Sequence, residues 1–477
     1  MLKHFTLVLL ALGQSSAFRG HRKHLDSPPS TKDVVVAEEQ YFDQVLDHFT
    51  ATDGRTWPQR FWSNWDNYVE GGPAFIMIGG EGEANPRWLT YGQWSEWAKE
   101  NGAAMFLLEH RYYGQSKPTE DMSAENMRYL SSRQGLEDLG HFITAVNNNH
   151  NLTAPWITFG GSYPGSLSAW MRLRFPHLVA GSVSSSGPLF AKLDYFEYLQ
   201  VVADALDTTG PGCNLALTEA MLTVEGLIAE SDNWEDISTL FKLCEPLDGS
   251  NSMDVMSFME LLIDNLAGIV QYNGRYEEDI FSICAIMTDE SLGEPMNRLA
   301  AVNDVMLSSS QEECLDHTYA SFLSMLSETT WVGGGVGWRQ WTWQTCTEFG
   351  WYQTTNQENG VYGHTLPLEF FEQWCQDAFG PEFTHEMMEK SVAASNIEYG
   401  GYEPSVSNVV FVHGSIDPWH AMGVLEDLHE GAPSIYITGT SHCADMYPDK
   451  SSDPEELTAA RVRIGGLVKG WVENARK

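Results

Sequence analysis

The chain is short of positive charge. Its 477 residues carry 27 Lys and Arg against 65 Asp and Glu, a net charge of −38. Such a surface repels a phosphate backbone, which excludes nucleic acid as a partner. Paired C-x-x-C spacing is also missing, so structural zinc is not expected. His385-Glu386-Met387-Met388-Glu389 lacks the second histidine of a zinc helix, and Gly333-Gly334-Gly335-Val336-Gly337 lacks the Lys-Ser/Thr of a phosphate loop. No later uninterrupted apolar run reaches the roughly 20 residues a membrane span needs. Internal repeats and low-complexity tracts are absent. The expectation is a protein with no metal, no cofactor and no membrane span.

What is present reads as a globular, exported chain. Hydrophobic residues make up 43% and charged residues 19% of it, outside the disordered range. The length suits one large domain with an insertion, or two domains. Lys3 and His4 precede an apolar run, 5–12, and Ser15-Ser16-Ala17 offers a cleavage site, so 1–17 is expected to be a signal peptide. Residues 18–40, with Pro28-Pro29, read as a leader or propeptide. In an exported chain Cys213, Cys244, Cys284, Cys314, Cys346, Cys375 and Cys443 form a disulfide framework with one member left over. Asn151-Leu152-Thr153 is a glycosylation acceptor. The acidic surface suits an acidic compartment as well as solubility.

From Tyr41 the pattern becomes structured. Short apolar runs at 73–78, 103–108, 156–159 and 179–183 alternate with helical spacing at 134–147, which indicates an α/β unit with a mainly parallel sheet over 41–193. Over 194–400 the chain reads as helices and loops (219–229, 256–269, 299–306, 319–326, 368–379), and six of the cysteines fall there. This is an expected helical insertion stapled by disulfides. Strands resume at 409–412 and 434–437, and a last helix is expected over 454–472, within a second α/β part, 401–477.

The chemistry centres on Phe159-Gly160-Gly161-Ser162-Tyr163-Pro164-Gly165. A serine among glycines between a strand and a helix is a nucleophile elbow, which lifts Oγ out of the sheet. The usual pattern ends in glycine at the fifth place. Here Pro164 stands there and Gly165 follows, which a helix's first turn tolerates. A serine needs a base, and the base needs an acid. Asp417 follows the strand at 409–412, and His442 follows the strand at 434–437. The order Ser162, Asp417, His442 is that of an α/β hydrolase. The expected oxyanion donors are the Tyr163 N–H and that of Gly80 or Glu81, in the loop Gly79-Gly80-Glu81-Gly82. His413 and His420 are rival histidines; His48, His110 and His177 read as structural.

Several separate motifs then resemble one family. They are Gly160-Gly161-Ser162-Tyr163, Glu109-His110-Arg111-Tyr112-Tyr113-Gly114-Gln115-Ser116, Leu46-Asp47-His48-Phe49 and Trp343-Gln344-Thr345-Cys346-Thr347-Glu348-Phe349-Gly350. Together, from Tyr41 to the C-terminus, the chain resembles the proline-specific serine peptidases, which include lysosomal Pro-X carboxypeptidase, dipeptidyl peptidase II and thymus-specific serine protease. Gly350-Trp351-Tyr352-Gln353-Thr354 and Ser441-His442-Cys443-Ala444-Asp445-Met446-Tyr447-Pro448 look most like the thymus-specific branch. The resemblance implies an α/β-hydrolase fold with a helical cap between nucleophile and acid. It implies a secreted or lysosomal exopeptidase acting on peptides beside proline, with Ser162 as nucleophile, Asp417 as acid and His442 as base. It also implies disulfides Cys213–Cys284, Cys244–Cys314 and Cys346–Cys375, with Cys443 free. Family members are often homodimers.

Which end of a peptide is cut stays open. A carboxypeptidase needs a cation for the terminal carboxylate, for which Arg111 and Arg339 are candidates. A dipeptidyl peptidase needs a carboxylate for the terminal ammonium, for which Glu81, Glu83 and Glu348 are candidates. Trp338, Trp341 and Trp343 are expected to line a proline pocket or to fill the core. An esterase or lipase would use the same triad, and a non-catalytic secreted binding protein would keep the same fold.

Overall fold

The computed structural model of the chain describes residues 37–476 apart from 276, 277, 334 and 359. The expected signal peptide and most of the 18–40 leader lie outside the described residues. The described residues form ten strands: β1 (Gln40–Val45), β2 (Thr56–Asn64), β3 (Ala74–Ile78), β4 (Ala104–Leu108), β5 (Trp156–Gly161), β6 (Val179–Ser185), β7 (Lys192–Asp194), β8 (Gly350–Tyr352), β9 (Val409–Gly414) and β10 (Ser434–Ile437). Eight of them make one sheet in the order β1-β2-β4-β3-β5-β6-β9-β10. β1 pairs antiparallel with β2, and β2 with β4, while every pair from β4 through β10 is parallel. This is the α/β-hydrolase sheet.

β3, β4, β5 and β9 are buried at every position, as parallel strands covered on both faces must be. Their side chains alternate between two cores. Ile76, Phe106 and Phe411 face the helices Ser132–His150 and Tyr163–Arg174, while Phe75, Phe159 and Val412 face Gln93–Asn101 and Glu455–Ala475. The helix Ser132–His150 starts where the Ser131 side chain accepts the Gln134 N–H, and it ends at Asn151 with φ 52°. Asparagine tolerates that left-handed turn, and Asn151 is exposed there.

Between β6 and β9 the described residues form helices and loops, with the short β7–β8 pair among them. Three disulfides tie it: Cys213–Cys284, Cys244–Cys314 and Cys346–Cys375. Cys443 is buried and free. Replacing both Cys244 and Cys314 with alanine is expected to cost roughly 2–5 kcal/mol of stability, read as a lower midpoint of thermal unfolding. An unchanged midpoint would mean that this bridge adds nothing to what helix packing and the other two disulfides already hold. No helix among the described residues is long and apolar enough to cross a membrane.

Candidate active site

β5 ends at Gly161 and the next helix begins at Tyr163, which leaves Ser162 alone in the turn at φ 66° and ψ −136°. That conformation is strained for any residue but glycine. It is held because the Ser162 N–H donates to Ser185 O at 2.9 Å, and its carbonyl accepts from Gly165 N at 2.8 Å. The glycine displaced by one place does the packing. A Cβ on Gly165 would sit 2.6 Å from Ser185 O, so the helix can lie against β6 only with glycine there. Pro164 is accommodated in the first helical turn, and its ring fills the space above Gly80, where a Cβ would meet Pro164 Cγ at 2.4 Å. The elbow and the glycine loop after β3 are therefore packed directly on each other.

Asp417 follows β9 and caps the short helix Pro418–Met422, its Oδ1 accepting the Trp419 N–H at 3.0 Å. The same oxygen lies 2.8 Å from His442 Nδ1. Both side chains are shut off from solvent, at 0% and 1% exposure, so neither charge is screened. Burial pushes the Asp417 carboxyl up, but the imidazole's charge and hydrogen bond outweigh this and hold it below its ordinary range. Burial likewise opposes the charged imidazole of His442, and Asp417 overcomes that too, leaving the ring a stronger base than a free histidine. His442 Nε2 makes no hydrogen bond to the described residues. That leaves one basic nitrogen uncommitted.

Ser162 and Tyr163 line a cleft that is partly open to solvent. Its walls are aromatic, with Trp338, Trp341, Trp351, Trp419 and Tyr272, and its polar groups are Glu81, Gln271 and Gln353. Burial lifts the Glu81 carboxyl to about 7, against the opposing pull of its own N–H and of His442. The Tyr163 N–H opens a helix, where no intrahelical acceptor exists.

The other candidates fall elsewhere. Arg111 is buried, its guanidinium holding Asp138 Oδ1 at 2.6 Å and Oδ2 at 2.7 Å and donating to the carbonyls of Leu46, Val45 and Tyr129. It is a structural ion pair, not a carboxylate clamp. Arg339 is equally buried and donates to Met122 O at 2.8 Å. Glu348 accepts from Ser132 Oγ at 2.6 Å and from Ser132 N, away from the cleft lining, and burial lifts its carboxyl to about 7. Glu83 pairs with Arg60 at 2.7 Å. In the helix Trp338–Gln344, positions 338 and 341 share a face and line the cleft. Trp343 points the other way, onto Phe379 and Phe383, with its N–H on Leu130 O at 3.2 Å. Trp343 is core, a consequence of helical phase. His413 is wholly buried beneath Asp417, and burial lowers it to about 4. His48 and His110 hold Asp138 and the Tyr163 hydroxyl.

Gln271, Tyr272, Trp351, Gln353 and Trp419 belong to the cleft but were not expected from the sequence. Trp419 carried a signal, two residues after Asp417, and Trp351 and Gln353 stand in the motif Gly350-Trp351-Tyr352-Gln353-Thr354. Among the described residues no group of three His, Cys, Asp or Glu side chains is placed to hold a metal.

Comparison with known proteins gives consistent matches over nearly the whole chain. The family described as serine carboxypeptidase S28 matches residues 44–464. The thymus-specific serine protease of Mus musculus is 35% identical over 461 residues, covering 93% of this chain and 89% of that protein. The Homo sapiens protein of the same name is 33% identical over 452 residues, covering 92% and 87%. The lysosomal Pro-X carboxypeptidase of Mus musculus is 26% identical over 497 residues, covering 98% and 97%.

Proposed function

The chain belongs to the serine carboxypeptidase S28 family and is a serine peptidase, and from that premise we propose that it is an exopeptidase that cuts beside proline with the triad Ser162, Asp417 and His442. The observation that carries the reading is the His442–Asp417 hydrogen bond of 2.8 Å, buried beside a cleft that Ser162 lines. Ser162 Oγ attacks the scissile carbonyl carbon as its proton passes to His442 Nε2. The oxyanion is met by the Tyr163 N–H and that of Gly80 or Glu81. Collapse breaks the C–N bond, and the imidazolium returns its proton to the leaving amine. Water, deprotonated by His442, then hydrolyses the acyl ester.

The tryptophan walls suit a pyrrolidine ring, which stacks well on aromatic faces. Glu81 is the acidic side chain among the cleft's lining residues; with its carboxyl lifted to about 7, it favours a substrate presenting a free α-ammonium at neutral pH and above. The disulfides support an oxidising compartment, in keeping with export to a lysosome or the cell exterior. Asn151, exposed at its helix end, would carry the glycan.

Two substrates test this across pH 4–8: a free-amine Xaa-Pro reporter, and an N-blocked peptide ending in Pro-Xaa. The first should be cleaved. Cleavage of the second alone would reverse the polarity and make this a carboxypeptidase. Turnover of simple acyl esters with both peptides left intact would replace the peptidase with an esterase.

A further inference from the structure

The turn that carries His442 is strained, for Cys443 sits at φ 55° without being glycine. Such a residue persists only where its surroundings hold it. Part of what holds it comes from residues 271–275, where the insertion's helix Ser252–Gln271 ends. The His442 N–H donates to Gln271 O at 3.0 Å, and Ser441 Oγ donates to Asn273 O at 2.9 Å. Arg275 donates to the His442 carbonyl and, through its other Nη, to the Tyr447 hydroxyl at 2.7 Å. Its guanidinium lies over the Tyr447 ring, 4.2 Å from the centroid. Tyr272 meets the imidazole edge to face, with centroids 6.0 Å apart. Gln271 Oε1 accepts the Trp419 Nε1–H at 3.0 Å, two residues past Asp417.

Both backbone hydrogen-bonding groups of His442, its ring and the turn of its acid therefore converge on one five-residue stretch of the cap. We propose that this stretch is the positioning device for the catalytic base, with Arg275 its central residue; the proposal rests on the triad reading above. Asp417 fixes one ring nitrogen. The backbone on either side sets how far the free Nε2 stands from Ser162. A reacting group displaced by about 1 Å can lose about 10²-fold in rate. Arginine suits the place because two directed donors and a flat face over Tyr447 are used at once, which lysine cannot supply. The cap then does more than cover the cleft, since any shift of its helix end shifts the base.

The test labels Ser162 with a fluorophosphonate, in which the serine oxygen displaces fluoride from phosphorus and its proton passes to His442. In Arg275→Ala the labelling rate and kcat should both fall about 10²-fold, with KM within about threefold of wild type. Millimolar guanidinium should restore about tenfold, and Arg275→Lys should fall between the two. Labelling and kcat within about twofold of wild type in Arg275→Ala would overturn the proposal, as would a loss carried by KM alone. If Arg275→Ala does not fold, Arg275→Lys decides, and wild-type kcat in that variant also overturns it. A wild type that takes no label at Ser162 sinks the triad and the clamp together. A labelled wild type with an equally fast variant sinks the clamp alone.

Discussion

Ser162→Ala should lose about 10⁴-fold or more in kcat on the Xaa-Pro reporter, with binding of the substrate little changed. That is about 5 kcal/mol or more of transition-state stabilisation, because the covalent route disappears and only the oxyanion donors and the cleft remain. The elbow makes a second demand on the same position. At φ 66° and ψ −136° any side chain is strained, alanine as much as serine. Ser162→Gly should be equally inactive but more stable than Ser162→Ala, by about 1 kcal/mol once glycine's greater freedom in the unfolded chain is subtracted. Chemical denaturation of the two inactive variants measures this. Equal midpoints would mean the turn stores no strain; residual turnover near wild type would remove Ser162 from the reaction.

The contrast between what the sequence discloses and what it hides follows the range of the interactions. β3, β4, β5 and β9 are legible because a strand buried on both faces must be an unbroken apolar run, and the ends of such runs mark where Ser162 and Asp417 emerge. β2 is not legible: it carries Pro58 and Arg60, which argue against a strand until Glu109 is seen 3.1 Å from the Arg60 Nε. Arg111 misleads for the same reason. A lone arginine after a strand resembles an anion clamp, and only folding brings Asp138 against it. Trp341 and Trp343 differ in fate by helical phase alone, which needs the helix start at Trp338. The grip of residues 271–275 on His442 joins positions some 170 apart through backbone carbonyls, which no residue type announces.

Asp417→Asn separates the acid's two roles. An asparagine oxygen can still cap Trp419, so the fold should persist. Toward His442 Nδ1, however, it presents either an N–H, which forces the proton onto Nε2 and leaves Ser162 without a base, or a neutral oxygen that no longer stabilises the imidazolium. A loss of about 10⁴-fold in kcat is expected. The residual activity should also change its pH dependence. A general base works when neutral, so activity fails as pH falls through the imidazole's pKa. Asp417 raises that pKa, and its removal should move the acid limb of kcat/KM to lower pH. Stability carries the matching signature. The lowered carboxyl contributes fully above its ordinary value of 3.8 and loses that contribution as pH falls through its lowered value. The raised imidazole contributes fully below its ordinary value of 6.5 and loses that as pH rises through its raised value. Wild type should therefore exceed Asp417→Asn in stability most between those ordinary values, with the gap narrowing toward either extreme. Urea unfolding across pH, beside the kcat/KM profile, reads both. An acid limb that stays in place while kcat falls would mean that Asp417 orients His442 without setting its charge, and the buried pair would then be a hinge for the base rather than its counter-ion.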